Sequence, residues 1–216
     1  MSPLIIERVS LHIAGAGLFS PVDLRVSPGT VTSVVGPSGS GKSSLLSFIC
    51  GTLSREFETH GRVLLGEDDV TRMAPEKRGI GILFQEPLLF PHLSVRGNLL
   101  FGLRSEASRH ERRQQVDAEL ESMDLSGYGP RDPATLSGGQ KARVALLRVL
   151  LSRPRALLLD EPFSALDDAN RRIVRQLVFE EVRRLGLPAL LVTHDDGDVA
   201  DAAGPVILLD GGLDAG

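Results

Sequence analysis

Gly36-Pro37-Ser38-Gly39-Ser40-Gly41-Lys42-Ser43 satisfies the spacing G-x-x-x-x-G-K-S. Glycines at these positions let backbone N–H groups turn inward around phosphate oxygens, and a helix that starts at the lysine adds the positive end of its dipole. Lys42 is placed to reach the β and γ phosphates of a nucleotide, and the Ser43 hydroxyl to coordinate Mg²⁺. Residues Gly36 through Ser44 are therefore the expected triphosphate contacts. Much further along, the apolar run ALLLD ends in Asp160 and is followed by Glu161. Asp160 suits Mg²⁺ held through water, and Glu161, one residue further out, suits orienting or deprotonating an attacking water. The pair adds hydrolysis to binding. His194 follows another apolar strand in VTHDDGD and can reach the γ-phosphate or serve the fold, while Gln85 in GILFQEPLLF is a candidate water or Mg²⁺ contact.

These residues need strands to carry them to one edge. TVTSVVG before the loop, ALLLD at 156–160, ALLVT at 189–193 and PVILLD at 205–210 read as strands, the continuous apolar runs being of the kind buried on both faces of a parallel sheet. LIIERVSLHI and LRVSPGTVTSVVG read as earlier short strands, with a tight turn at Pro28-Gly29. A different texture runs over about 86–152, where Val116, Leu120 and Met123, then Ala142, Ala145, Leu146 and Val149, fall at helical spacing. The charged stretch SRHERRQQVDAELES reads as a solvated helix face, and NRRIVRQLVFEEVRRLG as a helix ending at Gly186-Leu187-Pro188. The chain reads as one α/β domain, with a core lobe of 1–85 and 153–216 and a helical lobe of about 86–152.

A length of 216 residues, 42 % hydrophobic and 24 % charged, suits one core with a smaller lobe. The formal charge of −4 gives no reason to expect nucleic acid as a partner. The single cysteine, Cys50, sits in LLSFICG as a small core side chain and suits a reducing compartment. No stretch approaches the 18 apolar residues of a membrane span, and MSPLIIERVS lacks the order of a signal peptide, so work at a membrane would require docking onto a protein already there.

A second glycine-rich element, LSGGQ at 136–140, completes a set. GPSGSGKS, Gln85, LSGGQ, LLLDEP, SALD at 164–167 and His194 occur in the order of an ATP-binding cassette (ABC) ATPase, which the chain resembles over most of its length. IGILFQEPLLF, DPATLSGGQKARVALLR and LLLDEPFSALD look particularly like short bacterial importer ATPases related to thiamine and inorganic-anion uptake. The resemblance implies a P-loop NTPase core with a mostly parallel sheet, N-terminal antiparallel strands and an inserted helical lobe. It implies ATP and Mg²⁺ as cofactors, with Ser43, Asp160 and Gln85 at the metal. It also implies a head-to-tail dimer in which Ser137, Gly138, Gly139 and Gln140 of one copy close over the nucleotide of the other. In that account Glu161 is the base, His194 the γ-phosphate clamp, Gln85 the coupling residue and Asp167 a link across the dimer.

The surface EPLLFPHLSVRGNLLFGL would form part of a groove for a cytoplasmic helix of membrane permease subunits, served by a separate solute-binding protein. Much of its apolar content also reads as lobe core, and Phe84, Phe90 and Phe101 are expected to be core. The place implied is the cytoplasmic face of the bacterial inner membrane. The family usually stacks an aromatic residue upstream of the loop on adenine; here LHIAGAGLFSP offers Phe19 alone. Lys141 follows the signature where Gln or Arg is common. PVILLDGGLDAG ends the sequence, leaving no room for the regulatory domain of sugar-type importer ATPases. Export, envelope remodelling, or a non-transport role on nucleic acid or ribosomes are the alternatives; the short insertion, negative charge and single cassette weigh toward transport, and the cargo is not encoded in these motifs.

Overall fold

The computed structural model describes residues 1–211; residues 212–216 of the expected core lobe, and with them the expectation about a regulatory domain beyond PVILLD, lie outside the described residues. The chain divides into two compact units. The first comprises Met1–Ile82, Arg155–Glu161 and the chain from Phe179 onward; the second comprises Leu83–Pro154 and Pro162–Val178. The expected helical lobe of about 86–152 falls within the second unit, which also takes in the SALD turn and the first part of the helix after it.

In the first unit the described strands form two sheets. β1 (Leu4–Ile13) pairs antiparallel with β2 (Ala16–Gly17), β3 (Val22–Val26) and β5 (Phe57–Leu65), and β5 pairs with β6 (Asp68–Asp69). Arg8, with φ 49°, makes a bulge where the register shifts, and its N–H donates to Asp23 Oδ1 at 2.9 Å. Val9 and Leu11 beyond the bulge are buried.

The other sheet runs β10 (Val206–Leu208), β4 (Val31–Val35), β9 (Ala189–Val192), β8 (Ala156–Asp160), β7 (Ile80–Leu83), and the β10–β4, β4–β9 and β9–β8 pairs are parallel. β9 and the first four residues of β8 are buried, as their unbroken apolar sequence requires, and β4 is buried through Val34 with Thr32 and Ser33 in its run. Because β9 lies between β4 and β8, the strand ends carrying the phosphate loop, His194 and the Asp160-Glu161 pair lie in consecutive positions along one edge.

α1 (Lys42–Cys50) leaves that edge, and Cys50 is buried near its end, as expected. The far end of α1 is held by a buried arginine from α2 (Pro75–Arg78): Arg78 Nη1 donates to the carbonyls of Phe48 at 2.7 Å and Ile49 at 2.8 Å. A cation there satisfies orphan carbonyls and complements the helix dipole.

The second unit packs α3 (Val95–Gly102), α4 (Arg109–Ser122) and α5 (Gly138–Leu151). Val116, Leu120 and Met123 are buried as their spacing predicts, and Ser108 opens α4 with a capping box to Glu111. α6 (Asp168–Leu185) begins in this unit. The expectation that Phe84 and Phe101 are core residues is corrected: they are 41 % and 71 % exposed. The preceding loop is fixed instead by Asn98, fully buried, which accepts from the Phe90 N–H at 2.8 Å and donates to the Phe90 carbonyl at 3.1 Å. Arg148 donates to the Leu88 carbonyl at 2.9 Å and lies over the Phe90 ring. With its backbone satisfied from beneath, the loop leaves Leu88 facing outward, and Phe101 stands on the exposed side of α3.

Candidate active site

A cleft of about 400 Å³ opens at the carboxyl edge of the parallel sheet in the first unit. Ser38, Gly39, Gly41, Lys42, Ser43, Ser44 and Glu161 line one side of it. The loop reaches this place because β4 stops at Val35 and the chain reverses into α1 through Gly41, a left-handed residue with φ 87°. A Cβ on Gly41 would come within 2.8 Å of the Phe19 ring, so glycine is required by both conformation and space. No side chain caps the first turn of α1. Its N–H groups therefore face the cleft without a competing local acceptor, the arrangement an anion needs.

Lys42 is buried, and its ammonium donates to the carbonyls of Gly36 at 2.9 Å and Pro37 at 2.8 Å, which keeps the charge curled within the loop. Ser40 is also buried, and Pro37 and Ser38 are on the loop's outer rim. The Ser43 hydroxyl donates to Asp160 Oδ1 at 3.1 Å. Burial pushes the Asp160 carboxyl above its ordinary range; the Ser43 bond opposes this, Glu161 adds to it, and Lys42 opposes it. A hydroxyl and a partly buried carboxylate at this separation are hard oxygen donors, and they fit Mg²⁺ completed by phosphate oxygens and water.

Glu161 has φ 46°, a left-handed conformation uncommon for a residue with a side chain, and its N–H donates to the Val192 carbonyl at 2.9 Å. Its Oε2 lies 3.2 Å from His194 Nδ1. The turn presenting His194 is locked by Thr193, whose hydroxyl donates to buried Asp198 at 2.7 Å and accepts from the Asp195 N–H at 3.1 Å. Neither partner stood out in the sequence, because a Thr-to-Asp contact five residues apart has no motif of its own.

Phe19 is corrected. It is 3 % exposed, packed beneath Gly41 in the core, so it supports the loop and has no face to offer a base.

Gln85 and the signature belong to the second unit, where Gln85 is exposed in the turn after β7. Ser137 is the N-cap of α5: its hydroxyl accepts from the Gln140 N–H at 3.3 Å while Gln140 Oε1 accepts from the Ser137 N–H at 3.0 Å. Gln140 Nε2 also donates to the Tyr128 hydroxyl at 3.1 Å. The side chain of Gln140, expected at the nucleotide, holds the helix start through these bonds.

Gly138 and Gly139 pack on the SALD turn, with Gly138 against Leu166 and Gly139 facing Asn170, whose Oδ1 would lie 2.5 Å from a Cβ. Asn170 Nδ2 in turn donates to Asp167 Oδ2 at 2.6 Å, and these bonds hold the Asp167 carboxyl below its ordinary range. Asn170 is a residue the motifs did not reveal; its only sequence trace is its place three residues after Asp167.

A parallel sheet delivering a phosphate loop, a hydroxyl–carboxylate pair and a second carboxylate to one edge defines a P-loop nucleoside triphosphatase. Within that class the ABC transporter model matches residues 19–164, and the chain belongs to that family. Membership makes it an ATPase. It is 47 % identical over 91 % of its length to the uncharacterized ABC transporter ATP-binding protein YnjD of Escherichia coli (strain K12), covering 90 % of that relative. It is 44 % identical over 89 % of its length to the spermidine/putrescine import ATP-binding protein PotA of Frankia alni, covering 41 % of it. It is 40 % identical over 96 % of its length to the Fe(3+) ions import ATP-binding protein FbpC of Brucella abortus (strain 2308), covering 58 % of it. The chain thus spans nearly all of one relative and about half the length of the other two.

Proposed function

We propose that the protein is the ATP-hydrolysing subunit of an importer, binding ATP with Mg²⁺ and driving solute uptake through separate permease subunits. The observation that carries the reading is the convergence of Lys42, Ser43, Asp160, Glu161 and His194 on one strand edge. Lys42 and the first turn of α1 hold the triphosphate. Bound through Ser43 and Asp160, Mg²⁺ would neutralise charge on the phosphate oxygens. Glu161 takes the proton of the attacking water, and His194 orients Glu161 and contacts the γ-phosphate. Ser137, Gly138 and Gly139 serve the nucleotide of a second copy packed head to tail, with Asp167 relaying between copies.

Import is supported by the names of PotA and FbpC. Those names differ in cargo, a polyamine and ferric iron, while the relatives share 40–44 % identity with this chain, so cargo choice is assigned to other subunits. Among the described residues no helix is long and apolar enough to cross a membrane. Attachment at the cytoplasmic face is assigned to the outward Leu88 and Phe101 and the half-buried Phe90, whose ring centroid lies 4.7 Å from that of Phe101. Such a rigidly backed apolar surface suits a helix of a permease.

Glu161→Gln tests the reading. ATP binding is retained, hydrolysis falls about 10²- to 10⁴-fold, and a nucleotide-bound dimer accumulates in size-exclusion chromatography. Hydrolysis near the wild-type rate would remove Glu161 as the base. Gentle solubilisation of native membranes followed by affinity capture should recover a polytopic permease; recovery of soluble proteins or nucleic acid alone would count against transport.

A further inference from the structure

A triphosphate held by residues 38–44 leaves the sugar and base to the rest of the cleft wall. That wall is apolar: Ile13 at the end of β1, Leu18 just beyond β2, and Phe57 at the start of β5. Phe19 is excluded by its burial. Among the described residues lining the cleft, Phe57 carries the one aromatic ring.

Ile13 and Phe57 are directly opposed in the antiparallel β1–β5 ladder, so their side chains stand on the same face of the sheet. Leu11 and Thr59 form the next pair of that face, and Leu11 is fully buried. The face therefore passes from core to cleft within two residues. Phe57 is half-buried and packs against the core cluster while also lining the cleft. An aromatic ring seated on a core and open on another side is pre-organised to stack and loses little freedom on binding.

We infer that Phe57 is the base-stacking residue of this site, with Ile13 and Leu18 as apolar flanks; the assignment rests on the nucleotide reading above. The ligand is a purine nucleotide held by its π-face. None of the three side chains offers a hydrogen bond to the edge of the base. Stacking is tolerant of base identity, so adenine and guanine nucleotides bind within a few-fold of each other here and pyrimidine nucleotides more weakly.

The test uses the full chain with three ligands: ATP, GTP and base-free tripolyphosphate, each with Mg²⁺. Phe57→Ala should weaken ATP about tenfold or more and leave tripolyphosphate unchanged in calorimetry. Phe57→Trp should restore ATP affinity. Because the chain has no tryptophan, the introduced indole is the sole such fluorophore, quenched by ATP and GTP but not by tripolyphosphate. Unchanged ATP affinity in Phe57→Ala, or an indole that ignores saturating ATP, overturns the assignment while leaving the phosphate site standing. Failure of the wild-type chain to bind either ATP or tripolyphosphate would overturn the nucleotide reading, and this assignment with it. Should Phe57→Ala lose both ligands through misfolding, the indole of Phe57→Trp decides.

Discussion

Two helices in this protein start beside glycines, and they treat the N–H groups of their first turns in opposite ways. α1 starts after Gly41 with no side-chain acceptor, so its donors remain for a ligand. α5 starts after Ser137 inside a reciprocal box with Gln140, and Gln140 is itself tied to Tyr128. The first is an anion site complete within its own unit, with a lysine buried in the loop. The second has already spent its hydroxyl and a main-chain donor locally, so a phosphate gains less from it. The difference teaches how one chain can carry two glycine-flanked helix starts with distinct properties: the open one leaves its donors for a ligand, and the capped one has satisfied part of its own first turn, as the proposed sharing of a nucleotide between two copies would require.

The largest expected effect is on the open start. Lys42→Ala should weaken ATP about a hundredfold or more in calorimetry, and an unchanged Kd would show that the bare helix start suffices without the ammonium. Ser137→Arg should leave ATP binding to the monomer within about twofold, yet lower turnover about a hundredfold; normal turnover in a steady-state assay would erase the functional contrast between the two starts. Gly139→Ala brings a methyl against Asn170 and should cost about 1–3 kcal/mol in urea unfolding, with Asn170→Ala relieving part of it. A cost that the double variant does not reduce would remove Asn170 as the obstacle.

The smallest effect concerns Asp160, whose raised carboxyl pKa means that ionisation costs the folded state stability as pH climbs from the ordinary aspartate range through the raised value. That cost is complete above the raised value. Asp160→Asn should therefore raise the Tm of the nucleotide-free protein at neutral pH by about 2 °C while weakening Mg²⁺-dependent ATP binding. A lower Tm by calorimetry would contradict burial as the dominant influence on this carboxyl.

Much of this contrast was legible along the chain. The loop spacing, the Ser137–Gln140 interval and the acidic pair closing ALLLD are local patterns, and helix starts and strand ends are made by residues within a few positions of each other. Phe101 departs from the core expectation because apolar density along the chain does not say which side of a helix other segments cover. β5 was invisible for a related reason: FETHGR is polar, and it becomes a strand by pairing with β1 across more than forty intervening residues.

By itself the sequence determined the local elements of the site: the glycine-rich turn ahead of a helix, the acids that close a strand, and the helices and buried strands that carry them. Those properties follow from backbone preferences and apolar periodicity, which act over one or two turns of chain. The tertiary structure alone decided that Phe19 supports the loop from within while Phe57 lines the cleft, that Arg78 closes the far end of α1, and that Asn170 sits against Gly139. Each of these depends on strand register or on the packing of distant segments, and no local pattern carries information about which distant side chain will fill a given space.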